Sequence, residues 1–226
     1  MNYDGYTKYN RNVAINYDDD RKEEEHWIAE NAYIEILYKK SKITRLLEIP
    51  VGTGRFLKYY NNVEEITGVD ISSEMLEVAN KNNSNLNVKL MVGDAFNLEF
   101  ENNYFQHVVC FRLLHLIPPE MRKALMLELS RVADEKIIIQ VYMDKKFTLL
   151  ERITNKLRSI LKKFYSQSSF KPWSHIQSYG LSETEFKLLV DSASLYILSS
   201  KYLCTYSGSD VKIYELSRIK DENTNN

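Results

Sequence analysis

Short apolar runs alternate along this chain with stretches in which apolar residues recur at helical spacing. The first run covers residues 43–49 and has the composition of a strand that is buried on both faces. It is followed by Gly52 and Gly54, and residues 54–60 are then expected to form a helix. A strand, a glycine-rich turn and a helix in this order bring the backbone close to the polar group of a ligand.

The alternation continues to the last third of the chain. Further strands are expected at residues 66–70, 88–92, 107–111 and 136–142, and helices at 21–40, at about 73–81, and from about 119 and 183. Two final apolar runs, 196–203 and 211–216, flank a Ser207-Gly208-Ser209 turn that favours an antiparallel hairpin. The pattern predicts an α/β fold built on a mostly parallel sheet.

Polar residues follow several of the predicted strands at the point where each strand ends. Asp70 ends the second strand, Asp94 follows the third, and Arg112 and His115 follow the fourth. Because ligands bind at the carboxyl ends of the strands in open parallel sheets, these residues predict a binding site at one edge of the sheet.

These segments resemble the motifs of the class I S-adenosylmethionine-dependent methyltransferases. Residues 47–54 (LEIPVGTG) resemble the first motif, 68–76 (GVDISSEML) the second, and 92–95 (VGDA) the third, while 105–118 resemble the fourth strand and its exit. The resemblance runs from about Tyr17 to the C-terminal strands. It implies a Rossmann-like, seven-stranded, mostly parallel sheet with an antiparallel C-terminal strand, helices on both faces and a helical cap. It also implies that S-adenosylmethionine is the cofactor.

The resemblance further implies a role for particular side chains. Glu48 would accept a hydrogen bond from the ammonium group of the cofactor, through ordered water or directly. Asp70 would hold the ribose, and Asp94 would accept from the adenine amino group. Tyr17 would cover the cofactor, with a solvated tail residue as the alternative. The complete set expected to bind the cofactor is Tyr17, Glu48, Gly52, Gly54, Asp70, Ile71, Met75, Asp94, Ala95 and Phe111.

Three residues are candidates for the chemistry of methyl transfer. His115 is the candidate general base, with packing at a helix start as the alternative. Arg112 either binds an acidic group of the substrate or pairs with a surface carboxylate. His175 closes the segment that follows the fifth strand and is expected to face the acceptor. The histidines and cysteines have no metal-ligand spacing, so no metal site is expected.

Two positions depart from the family pattern, and NAD is the rival cofactor. Pro50 stands where the first glycine is usual, and Gln106 stands where an aspartate usually follows the phenylalanine of the fourth strand. Binding of NAD would require a third glycine three residues after Gly54, where Leu57 stands instead. The methyltransferase interpretation is therefore favoured over a dinucleotide-binding one.

Length and composition indicate one domain over residues 1–226, with an N-terminal cap region at 1–40 and an insertion at 144–180. The insertion has an apolar stripe among basic residues, which favours a lid over the site, with a helix lying on an anionic membrane as the alternative. A formal net charge of −1 gives no general attraction to nucleic acid. The chain shows neither a secretory signal nor a membrane-spanning run, so a cytoplasmic protein is expected.

The expected function is transfer of a methyl group to an oxygen or nitrogen of a small-molecule acceptor. Two alternatives stay open: an enzyme that acts on a lipid-linked or membrane-surface substrate, and a non-catalytic relative that binds the cofactor. The sequence identifies neither the acceptor nor the oligomeric state.

Overall fold

A seven-stranded sheet forms the centre of the molecule in a computed structural model that describes residues 9–144 and 179–218. The strands are β1 (Ile43–Glu48), β2 (Val63–Asp70), β3 (Val88–Val92), β4 (Phe105–Cys110), β5 (Ala133–Asp144), β6 (Leu195–Tyr206) and β7 (Ser209–Arg218). Their order across the sheet is β3-β2-β1-β4-β5-β7-β6. Strands β1 to β5 pair in parallel, and β7 is antiparallel to both of its neighbours. The predicted fold class is thereby confirmed.

Five α-helices surround the sheet within the described residues. They are α1 (Arg11–Asn16), α2 (Glu25–Tyr38), α3 (Ser73–Asn82), α4 (Pro119–Val132) and α5 (Glu183–Ser192), with short 3₁₀ helices at Leu57–Tyr59 and Leu114–Leu116. The hydroxyl of Ser72 caps α3 by accepting from the backbone N–H of Met75 at 3.2 Å. Ser182 caps α5 in the same way through Glu185. Serine is among the residues favoured at the N-cap, because its hydroxyl satisfies a backbone N–H of the first turn.

The continuous apolar runs of the strands supply both faces of the sheet. Neighbouring strand residues alternate between two core clusters, as Leu46 and Leu47 do in β1. One cluster includes residues of α4 and α5, and the other includes residues of α2 and α3. Because each central strand must be apolar on both faces, the sequence shows a run instead of an alternation.

The prediction of a helix at residues 54–60 is wrong. The chain instead makes a turn and a single 3₁₀ helix, Leu57–Tyr59, with hydrogen bonds between residues three apart. Only residues 49–62 connect β1 to β2, and the first of them form the glycine turn. Phe56, Leu57 and Tyr60 are buried in the core within this short span. A single 3₁₀ turn is common in such connectors.

Residues 145–178, which contain most of the predicted insertion together with His175, lie outside the described residues. The segments on either side are held beside the carboxyl edge of the sheet. The backbone N–H of Asp144 donates to the carbonyl of Leu181, and that of Tyr179 donates to the carbonyl of His115. The guanidinium of buried Arg122 donates to the carbonyls of Tyr179 and Gly180. Among the helices of the described ranges, none has the length and apolar character needed to cross a membrane.

Candidate cofactor and acceptor site

A cavity opens at the carboxyl ends of β1, β2, β3 and β4. It encloses about 820 Å³ of empty space, a volume that includes open solvent at its mouth. Eight of the ten residues predicted to bind the cofactor line it: Tyr17, Glu48, Gly52, Asp70, Ile71, Met75, Ala95 and Phe111. Residues far apart in the chain are thus brought together because parallel strands present their carboxyl ends on one side.

The glycine turn after β1 forms the floor of the cavity. The N–H of Gly52 donates to Oδ2 of Asp70 at 2.8 Å, so the turn is fastened to the end of β2. Gly54 does not line the cavity; it faces α3, where the side-chain amide of Asn83 donates to its carbonyl at 3.2 Å. A Cβ at this position would lie 2.6 Å from that amide nitrogen. Gly54 therefore serves the packing of the turn against α3.

Asp70 is buried at the tip of β2 and accepts backbone hydrogen bonds on both carboxylate oxygens. Oδ1 accepts from the N–H of Ser72 at 3.0 Å, and Oδ2 accepts from Gly52. Burial raises the pKa of this carboxyl, and the backbone donors act in the opposite direction. Each oxygen keeps a second lone pair, so the carboxylate is already oriented and can accept further hydrogen bonds from a ligand.

Glu48 ends β1 and is 3% exposed in the wall of the cavity. Burial raises the pKa of its carboxyl to about 8. Its Oε2 has no hydrogen-bond partner in the part of the chain that the structure describes. A buried carboxyl oxygen without a partner is costly, and a cationic group in the cavity would supply both a donor and a compensating charge.

The end of β3 contributes backbone and a small side chain. Gly93 and Ala95 line the cavity, whereas Asp94 is not part of the wall. Oδ1 of Asp94 accepts from the N–H of Phe96 at 3.0 Å, which stabilises the turn after the strand. In this conformation, Asp94 shapes the turn that presents Ala95.

The N-terminal segment closes one side of the cavity. Tyr9 and Tyr17 line it, with their ring centroids 6.0 Å apart. Two side-chain hydrogen bonds hold this segment to the floor. The hydroxyl of Thr53 donates to Asp18 at 2.6 Å, and that of Ser72 donates to the carbonyl of Tyr9 at 2.8 Å. We call Tyr9, Tyr17 and Asp18 the N-terminal flap.

A buried ionic network adjoins the cavity and was not predicted from the sequence. The carboxylate of Glu30, on α2, is fully buried and accepts from the guanidinium groups of Arg55 and Arg112 and from the side-chain amide of Gln140. Arg55 and Arg112 line the cavity. The indole of Trp27 contacts both cations, with ring-centroid distances of 3.9 Å to Arg55 and 4.8 Å to Arg112. We call Glu30, Arg55, Arg112 and Gln140 the arginine–glutamate network.

Burial and charge act in opposite directions on the acid of this network. Burial alone would raise the pKa of Glu30, but Arg55 and Arg112 outweigh it and hold the pKa below its usual range. Glu30 is therefore ionised. The sequence contained one signal for the network, since Gln140 interrupts the apolar run at residues 137–143.

His115 lies next to the cavity without lining it. Its ring centroid is 4.2 Å from that of Tyr142, at the end of β5. Its neighbours Leu113 and Leu116 do line the cavity. Within the described residues, no group of three histidine, cysteine, aspartate or glutamate side chains could hold a metal ion. Cys110 and Cys204 are buried free thiols.

Comparisons with known proteins agree with this geometry. Residues 46–136 match the family described as a methyltransferase domain. A demethylmenaquinone methyltransferase of Staphylococcus aureus strain JH9 is 40% identical over 72 residues, a segment that spans 30% of this chain and 30% of the relative.

Solved structures extend the similarity of fold over most of the chain. The magnesium protoporphyrin IX methyltransferase of Synechocystis PCC 6803 with bound S-adenosylmethionine has a TM-score of 0.66 at 14% identity, covering 95% of this chain and 93% of its own. The [4+2]-cyclase SpnF has a TM-score of 0.62 at 14% identity, covering 84% and 80%. The second neighbour shows that this fold is also found in an enzyme named for a different reaction. Residues 46–136 of this chain thus match a methyltransferase domain, and over most of its length the chain has the fold of a methyltransferase that was solved with bound S-adenosylmethionine.

Proposed function

We propose that this protein transfers the methyl group of S-adenosylmethionine to an oxygen or nitrogen of a small-molecule acceptor. The observation that carries the proposal is the cavity at the carboxyl edge of the sheet, which eight of the ten expected cofactor residues line. The fold alone could not support it, because a cyclase shares that fold.

The arrangement of the strand ends supports a direction for the cofactor along the sheet edge. The adenine lies by Ala95 after β3, with Ile71 and Met75 packed on its ring. The ribose hydroxyls donate to Asp70 at the end of β2. The methionine part crosses the glycine turn, with its ammonium group beside Glu48. This order directs the methyl group toward the end of β4, which Phe111 and Arg112 follow.

Methyl transfer from a sulfonium requires little from the protein beyond alignment and exclusion of water. The acceptor atom attacks the methyl carbon, the carbon–sulfur bond breaks, and the sulfur keeps its electron pair as a neutral thioether. A general base is needed only if the acceptor loses a proton in the same step. His115 remains our candidate for that base, and His175 remains a candidate for contact with the acceptor.

The names of the relatives support a small-molecule acceptor. Demethylmenaquinone and magnesium protoporphyrin IX are both small molecules. We also retain the alternative of a substrate at a membrane surface. Co-sedimentation with anionic vesicles, tested at low and high ionic strength, would favour that alternative if binding occurs and weakens with salt.

The first test is calorimetric binding of S-adenosylhomocysteine to the wild-type protein and to Asp70→Ala. Losing hydrogen bonds to a charged acceptor should remove about 1.5–3 kcal/mol of binding free energy, or roughly tenfold to a hundredfold in affinity. Asp134→Ala, an exposed carboxylate at the start of β5, is the control and should bind normally. Equal affinity for all three proteins would refute the role of Asp70.

The second test concerns turnover. The protein is incubated with methyl-labelled S-adenosylmethionine and a library of small molecules, and labelled products are sought. Tight binding of S-adenosylhomocysteine without transfer to any acceptor would favour the non-catalytic alternative.

A further inference from the structure

The arginine–glutamate network carries more positive than negative charge. Glu30 supplies one carboxylate, whereas Arg55 and Arg112 supply two guanidinium groups. Gln140 adds a neutral amide. Buried charges are ordinarily paired, so a network that holds two cations and one anion among the described residues, beside a cavity, requires a physical reason.

The two arginines differ in how fully they are engaged. Arg55 donates to Glu30 and to the side-chain oxygen of Asn31, and its guanidinium lies against the rings of Trp27 and Phe56. Arg112 donates to Glu30 through Nε at 3.0 Å. Its Nη2 is buried and has no hydrogen-bond partner within residues 9–144 and 179–218. Arg112 is thus the cation with an open donor in the cavity wall.

The backbone of Arg112 has an unfavourable conformation. Its φ is 58°, in the left-handed region that a long side chain rarely adopts. The side-chain oxygen of Gln140 accepts from the N–H of Arg112 at 2.9 Å, and the amide of the same residue donates to Glu30. Gln140 therefore holds both the backbone of Arg112 and the carboxylate of Glu30. Strain that the surrounding structure maintains in this way is concentrated at functional sites.

The position of Arg112 in the sheet decides which part of the reaction it faces. It directly follows β4, whereas Arg55 belongs to the glycine turn after β1. The cofactor, as proposed above, occupies the ends of β3, β2 and β1, so Arg112 lies beyond its methyl group. From the excess of positive charge among these residues, the open donor and this position, we infer that Arg112 binds an anionic oxygen group of the acceptor, a carboxylate or a phenolate. This inference rests on the proposed function and names its substrate class.

A carboxylate in the cavity has two possible sources, the acceptor and the methionine part of the cofactor. The affinity for S-adenosylhomocysteine separates them. Arg112→Gln retains a donor that can reach Glu30, and its affinity should stay within about threefold of the wild-type value. A loss of tenfold or more would assign Arg112 to the cofactor and overturn the inference.

The direct test uses benzoate and its neutral analogue benzamide as probes. Each is titrated into protein saturated with S-adenosylhomocysteine. A hydrogen bond to a charged group predicts that benzoate binds roughly tenfold to a hundredfold more tightly than benzamide. This preference should disappear in Arg112→Gln, persist in reduced form in Arg112→Lys, and be unchanged in Arg45→Gln, which alters an arginine outside the cavity wall.

Two results would overturn the inference. The first is that wild-type protein binds S-adenosylhomocysteine but shows no preference for benzoate, including the case in which neither probe binds. The second is that the preference survives in Arg112→Gln. Failure of the wild-type protein to bind S-adenosylhomocysteine would instead contradict the proposed function. Because Arg112→Lys keeps the charge, it serves as the folded comparison if Arg112→Gln is unstable.

Discussion

At the scale of single residues, Glu48 makes the affinity for the cofactor depend on pH. Burial raises the pKa of Glu48 to about 8, so most molecules of the free protein are expected to carry a protonated Glu48 at pH 7. An ammonium group beside it favours the carboxylate, so the complex holds fewer protons than the free protein. The affinity for S-adenosylhomocysteine should therefore rise with pH and level off above about 8.

Calorimetry in two buffers of different ionisation enthalpy measures the proton directly. We expect the wild-type protein to release nearly one proton for each S-adenosylhomocysteine bound at pH 7. Glu48→Gln should release none. Binding without proton release in the wild-type protein would show that Glu48 does not meet the ammonium group.

The sequence predicted several residues that line the cavity: Glu48 and Asp70 from motifs at strand ends, and Tyr17 from the resemblance of its segment to the known family. It missed Arg55 and Glu30 for a physical reason. A charged residue on a helix or in a loop looks like a solvated residue until its buried partner is known. These partners come together only in the folded sheet, so local pattern could not identify them.

At the scale of elements, alanine substitutions at two glycines with positive φ distinguish the cost of backbone strain from the cost of overpacking. Gly54 has φ of +73° and Gly208, in the turn between β6 and β7, has φ of +86°. A Cβ at Gly208 would meet nothing within 4 Å, whereas at Gly54 it would meet Asn83 at 2.6 Å and Leu57 at 2.9 Å. Both changes to alanine pay a conformational penalty of about 1–2 kcal/mol. Gly54→Ala should be less stable by roughly a further 1–3 kcal/mol, because it also overpacks.

Urea unfolding of the two variants beside the wild-type protein measures the difference. Similar losses of unfolding free energy in both would mean that the contact between the glycine turn and α3 adjusts freely. The same comparison bears on what could be predicted. Buried strands follow from apolar runs, but the apolar spacing at residues 54–60 did not distinguish an α-helix from the turn and 3₁₀ helix that form there.

At the scale of the whole molecule, the arginine–glutamate network joins α2, the glycine turn and the ends of β4 and β5. Replacing one partner of a buried ion pair leaves uncompensated charge and typically costs about 3–5 kcal/mol. Glu30→Gln should therefore lower the free energy of unfolding by that amount in urea titrations. Glu35→Gln, on the exposed face of the same helix, should change it by no more than about 0.5 kcal/mol. Comparable effects of the two variants would contradict a structural role for the network.

The overall topology was within reach of the sequence. Alternating strands and helices imply a parallel sheet, and the serine–glycine turn implies the final hairpin. The attachment of α2 to the cavity could not be predicted from the sequence, because it depends on contacts between residues as distant in the chain as Glu30 and Gln140.

The N-terminal flap has a kinetic consequence. Tyr9 and Tyr17 form one wall of the cavity, and the hydrogen bond from Thr53 to Asp18 holds their segment in place. We expect a product that leaves on this side to displace that segment. Product release is often the slow step in enzymes with covered sites. Thr53→Val removes about 1 kcal/mol of this restraint and should shorten the residence time of S-adenosylhomocysteine about fivefold in a displacement chase. Thr205→Val, which removes an exposed threonine–aspartate bond in the final hairpin, should leave it unchanged. An unaltered residence time in Thr53→Val would mean that the product departs by another route. The flap would then not limit the rate of product release.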